Sequence, residues 1–263
     1  MAQGKKLGIF GDILMALVIV GIILAVLWVY TGQFPSTPMV VVTSGSMMHS
    51  DVPYGRIGTI DPGDLVLVKK IDNRDDIETR GKSTDPYSDH KSYGDYGDVI
   101  IYYPMGNEDT TPIIHRAICW VEHHGDGTYS VPAYGINQES SINIPELRLT
   151  NSRFSHSGFI TMGDNNHNIA DQAGNICQEP VKTEWIIGEA KGELPWFGLI
   201  KLMIYGNPNA RPYGDWVKVG NAVAPKDLWV CLGLSMLIII TIPVALDYLE
   251  YHRQKKKRQR RLQ

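Results

Sequence analysis

Cysteine is scarce in this chain, with three in 263 residues, and no Cys-x-x-Cys spacing occurs, which excludes a zinc ribbon and a disulfide framework. Cys231 falls inside an apolar run, leaving Cys119 and Cys177 as the one pair able to bridge; two unpaired small hydrophobes fit equally well. Helical periodicity is also missing: no stretch of 12 or more residues between 31 and 225 carries a 3.6 repeat, so helices there should be few and short. Net positive charge is missing from the same region. Taking +1 for residues 1–30 and +5 for residues 247–263 away from the overall −3 leaves −9 on residues 31–246. An acidic domain argues against nucleic acid as a partner.

What is present begins with two apolar runs, Ile13 to Tyr30 and Leu228 to Leu246, neither interrupted by Asp, Glu, Lys or Arg. A spanning helix needs about 20 mostly apolar residues, and the apolar core of a cleaved leader is shorter, so both read as retained transmembrane helices. Lys5 and Lys6 precede the first, and Arg253, Lys255, Lys256, Lys257, Arg258, Arg260 and Arg261 follow the second. Cytoplasmic flanks carry the basic excess, which predicts a two-pass protein of the cytoplasmic membrane with both termini inside and residues 31–227 outside. The basic tail 247–263 reads as a solvated flank touching anionic lipid.

Between the anchors, apolar residues come in short runs: Leu65 to Val68, Val99 to Tyr103, Ile113 to Val121, and Phe159 to Met162. They are rich in Val, Ile and Tyr and punctuated by Gly, Pro, Asn and Asp, which predicts a mainly β domain. Gly63-Asp64 and Gly97-Asp98 each open such a run. The polar stretch 72–96, and 137–157 in milder form, read as surface insertions.

Beyond the first span, after Val40-Val41-Val42, stands Ser44-Gly45-Ser46-Met47, with Ser46 sixteen residues past Tyr30. A serine held by a flexible Gly at a strand end is a candidate nucleophile, and a serine hydroxyl needs a base. His115 is the best placed histidine, inside the apolar strand Ile113 to Ile118, where alternation sends His115 and Arg116 to opposite faces. A carboxylate must orient the imidazole, and Asp164 and Asp171 are both available.

Taken in order, the Ser-Gly-Ser-Met box, the two Gly-Asp strand starts, His115-Arg116, Gly163-Asp164-Asn165-Asn166 and the segment Ile187 to Gly198 resemble the type I signal peptidases over most of residues 35–205. Bacterial members have lysine where this chain has His115, so the resemblance is to the archaeal and endoplasmic-reticulum branch. It implies a signal-peptidase-like β catalytic domain, with Ser46 as nucleophile and His115 as base. Asp171 would be the acid, with Asp164 as the alternative, and Ser44 with the Ser46 backbone N–H would be the oxyanion donors. The family's second Asp usually lies six positions after the Asp of Gly-Asp-Asn; Asp171 lies seven after Asp164. The box continues Met47-Met48-His49, with Pro53 later than the family's usual Pro, and the two Met residues suit either a lipid-touching rim or core packing.

The expected reaction is removal of signal peptides from exported preproteins after small residues, without metal or cofactor. The expected partners are those preproteins, the lipid bilayer and the secretion machinery. Two rivals share the pattern: a same-fold protease for a narrower set of envelope precursors, and a non-catalytic membrane-anchored scaffold.

Overall fold

The computed structural model describes residues 9–49, 57–212 and 214–260. Pro53, Lys5, Lys6 and Arg261 lie outside the described residues. Helix α1, Ile9–Thr31, contains the first apolar run, and α3, Lys226–Arg260, contains the second. Their 23 and 35 residues correspond to about 34 and 52 Å at 1.5 Å per residue, long enough and apolar enough to cross a bilayer.

The domain between them is mainly antiparallel sheet. Its strands are β1 (Met39–Val41), β2 (Leu65–Lys69), β3 (Lys91–Ser92), β4 (Asp95–Tyr96), β5 (Val99–Tyr102), β6 (Ile113–His123) and β7 (Tyr129–Val131). They continue as β8 (Ile136–Glu139), β9 (Ile142–Ile144), β10 (Leu149–Ser152), β11 (Gly158–Met162), β12 (Ile186–Leu194), β13 (Trp216–Val219) and β14 (Ala222–Pro225). The main sheet runs β1-β2-β12-β5-β6-β7-β8, with β11 paired to β6. A single short helix, α2 (Leu199–Tyr205), interrupts the described β region apart from one-turn 3-10 segments.

The apolar runs form strands because each finds cover. Val99 and Ile101 of β5 enter a core with Val42, Met47, Val66 and Val68, while Ile100 and Tyr102 enter another with Ala117, Phe159 and Val181. Burial on both faces explains why β5 is a continuous apolar run rather than an alternating one. The main departure from the sequence reading is 137–157, which is no surface insertion. Ile142, Ile144, Leu147, Leu149 and Phe154 are buried there against β6 and β7 residues. The stretch 72–96 is likewise bound to the sheet: Arg80 N and Gly81 N donate to the Ala117 and Ile118 carbonyls at 2.9 and 2.7 Å. Met47 and Met48 are buried, so they pack in the core and form no lipid-facing rim. Cys119 and Cys177 are unbridged, and burial pushes both thiols up from their ordinary range.

Candidate active site

Three neighbouring strands prepare the site. Tyr102 of β5 pairs with Ile113 of β6, and Thr161 of β11 pairs with Ala117. Strand alternation puts residues 113, 115 and 117 on one face, so Tyr102, His115 and Thr161 share that face. They converge on one atom. Asp171 Oδ2 accepts from Tyr102 Oη at 2.7 Å and Thr161 Oγ1 at 2.6 Å, and lies 2.7 Å from His115 Nδ1. Burial, with the Asp171 charge beside it, raises the Tyr102 phenol well above its ordinary value and keeps it a donor. A carboxylate can only accept, so the proton of the imidazole belongs on Nδ1 and the lone pair on Nε2. Nε2 lies 3.0 Å from Ser46 Oγ.

Asp171 reaches this position through a tight loop. His167 and Asn168 adopt left-handed backbone at φ 53° and 60°, and the chain returns so that Asp171 N donates to the Thr161 carbonyl at 2.8 Å. Both ends of the residue are then held by Thr161. His115 is 3% exposed and Asp171 0%, while Ser46 is only partly buried, so the line runs from the interior to an accessible hydroxyl.

Asp164 serves a different partner. Its carboxylate takes a bidentate grip from Arg116, at 2.8 Å from Nε and 2.6 Å from Nη2, and His49 Nε2 lies 3.0 Å from Oδ2. Burial acts to raise this carboxyl, but the hydrogen bonds from Arg116 and His49 outweigh it and hold the group below its ordinary value. Arg116 Nη1 also donates to the carbonyls of Ser92 and Gly97, at 3.0 and 2.8 Å, anchoring the β3–β4 hairpin. The adjacent residues His115 and Arg116 therefore address separate carboxylates from opposite sides of β6.

The loop after β11 touches the serine directly. Asn165 N donates to the Ser46 carbonyl at 2.8 Å, and Asn165 Nδ2 to the Gly45 carbonyl at 2.9 Å. Gly163 lies so close that a Cβ there would meet the Ser46 carbonyl oxygen at 2.6 Å and His115 Nε2 at 2.8 Å. Ser44 Oγ is 3.4 Å from Ser46 Oγ, too long for a firm hydroxyl hydrogen bond, and so stands beside Ser46 as a neighbour.

Of the residues read from sequence, Ser46, His115 and Asp171 come together in line, Ser44 borders them, and Asp164 stands one contact away through Gly163 and Asn165. Tyr102, Thr161 and His49 were not singled out. The first two carry a readable signal, a polar group in an otherwise apolar buried strand, which demands a partner. A cavity of about 240 Å³ lined by Arg74, Ile77, Tyr87, Trp120 and Phe159 among others shares no residue with this line. No protein-family model matches the chain, and no curated protein matches it.

Proposed function

We propose that the chain is a membrane-anchored serine endopeptidase of the type I signal peptidase kind, removing signal peptides from exported preproteins. The observation that carries this reading is the hydrogen-bonded line from Ser46 through His115 to buried Asp171, at 3.0 and 2.7 Å. A serine hydroxyl, a base holding its lone pair toward it and a carboxylate behind the base are the parts of nucleophilic acyl transfer.

In the proposed reaction, Ser46 Oγ attacks the carbonyl carbon of the small residue that precedes the scissile bond, and His115 Nε2 takes the hydroxyl proton. The imidazolium is stabilised by Asp171 while the carbonyl oxygen carries the negative charge. Ser44 and the Ser46 N–H are the candidate donors to that oxygen, a contribution of about 3 kcal/mol for one donor. His115 then gives its proton to the leaving amine as the C–N bond breaks. Water, deprotonated by His115, attacks the acyl-enzyme, and the carboxylic acid leaves as Ser46 is restored.

The two long apolar helices support placement at a membrane, and the basic residues that follow the apolar run of α3 support cytoplasmic ends with the sheet domain outside. That arrangement suits a substrate whose apolar core lies in the bilayer with its cleavage site just beyond. The test is cleavage of a preprotein bearing a small-x-small site in liposomes by the native chain, Ser46→Ala and His115→Ala. Correct cleavage lost in both variants is the expected result. Activity surviving Ser46→Ala would remove Ser46 as nucleophile, and an inert native chain would remove the activity.

A further inference from the structure

We infer that α2 is an interfacial foot, lying in the outer surface layer of the bilayer that α3 enters and setting the height of Ser46 above the lipid. This rests on the membrane anchoring proposed above.

Helix α2 has only one charged residue, Lys201. Leu199 and Leu202 face inward, at 0% and 2% exposure, but Ile200, Met203, Ile204 and Tyr205 are exposed at 43, 38, 65 and 77%. Ile200, Met203 and Ile204 follow i, i+3, i+4 spacing and form one apolar face, flanked by Lys201 and Tyr205. An apolar face bordered by a basic and an aromatic residue is the pattern of a helix lying in a membrane surface.

Its position in the fold names the occupant. The inward face of α2 packs on Ala222 and Ala224 of β14 and on Leu228 and Leu232, in the first two turns of α3. Trp196, three residues before α2, donates from Nε1 to Ser235 Oγ at 2.9 Å, about 13 Å along α3 from Lys226 at 1.5 Å per residue. A bilayer that receives α3 therefore begins beside α2, whose exposed face points away from the core that joins the two helices. Aromatic residues border the inner-domain ends of both long helices: Trp196 and Trp229 pack around the start of α3, and Trp28 and Phe34 stack edge to face at the end of α1, 5.2 Å between centroids. Such rings mark the water boundary of spanning helices.

The foot is rigidly joined to the nucleophile segment. Asn207, just beyond α2, donates from Nδ2 to the carbonyls of Thr43 at 3.2 Å and Val223 at 2.7 Å. Gly63, which adjoins the β1 end, is pressed so closely by Leu199 that a Cβ would meet its side chain at 2.4 Å. The depth of α2 is thereby passed to the residues that precede Ser46.

The test uses the full chain in nanodiscs containing lipids spin-labelled at shallow or deep acyl positions, with Cys231→Ser removing the least buried thiol. Single fluorophores are placed at Ile204→Cys, at Ile239→Cys in the middle of α3, and at Asn137→Cys on the exposed β8. The expected result is strong quenching of 204 by shallow labels, of 239 by deep labels, and of 137 by neither. If 239 is quenched and 204 behaves like 137, anchoring stands and the foot is overturned; if 239 is unquenched, the anchoring reading itself fails. In the same particles Met203→Glu with Ile204→Glu should lower preprotein cleavage at least 10-fold and leave fluorophosphonate labelling of Ser46 unchanged. A matching loss of labelling would assign the effect to packing and overturn the height-setting role.

Discussion

Gly163→Ala adds one methyl group at the point where the loop after β11 meets Ser46, the proposed nucleophile. The Gly163 φ lies outside the left-handed region, so alanine meets no backbone penalty there and the whole effect comes from contact. The added carbon would stand 2.6 Å from the Ser46 carbonyl oxygen and 2.8 Å from His115 Nε2, about an ångström inside ordinary contact. Ser46 O is already bonded to Asn165 N and the imidazole is held by Asp171, so neither can retreat without lengthening the 3.0 Å Ser46–His115 contact. An ångström of misplacement at reacting groups costs roughly 100-fold; shared between the serine and the loop, the expected loss is about 10- to 100-fold. Overpacking of this kind should cost about 1–3 kcal/mol of stability, which leaves a folded protein to assay. The measurement is the rate of fluorophosphonate labelling, with Gly125→Ala as the control because no atom lies within 4 Å of its added carbon. Native labelling rates in Gly163→Ala, or an equal fall in Gly125→Ala, would refute the reasoning.

Tyr102→Phe removes one of three donors to Asp171 Oδ2 and should lower kcat about 10-fold with KM unchanged, since a hydrogen bond to a charged group contributes about 1.5–3 kcal/mol. An unchanged kcat would mean that Thr161 alone positions the acid. Asp164→Asn leaves Arg116 buried opposite a neutral amide and should cost about 3 kcal/mol at neutral pH, read as denaturant midpoint. Because the folded carboxyl titrates below its unfolded value, its stabilisation is complete above about pH 4 and is lost as pH falls through the folded pKa. The stability gap between native chain and variant should therefore narrow in acid; a gap independent of pH would refute the ion-pair account.

Strands β2 and β5 were legible because Gly-Asp turns precede compact Val- and Ile-rich runs, and β6 and β11 likewise fall on apolar runs read from sequence. The stretch 137–157 was misread because its buried residues, Ile142, Ile144, Leu147 and Leu149, are separated by Pro145 and polar neighbours and never form a run. Ser46 and His115 were visible as residue types in plausible places. The choice between Asp164 and Asp171 was not, since it depends on the left-handed pair His167 and Asn168 turning the chain back onto Thr161, a geometry that spacing along the chain does not encode. Tyr102 and Thr161 were missed for a related reason: they act through pairing between strands, which a linear reading cannot supply.

Because His115 and Arg116 are consecutive on β6 and serve carboxylates on opposite sides of it, the pairing frame of this strand is part of the chemistry. Slipping β6 by one residue would carry the guanidinium toward Asp171 and the imidazole toward Asp164, with every proposed catalytic side chain still present in the sequence. A one-residue insertion or deletion within β6, ahead of His115, is then as dangerous to the site as replacing His115 itself. The pairs Val99 with Arg116 and Ile100 with His115, set in a strand buried on both faces, are what hold the frame.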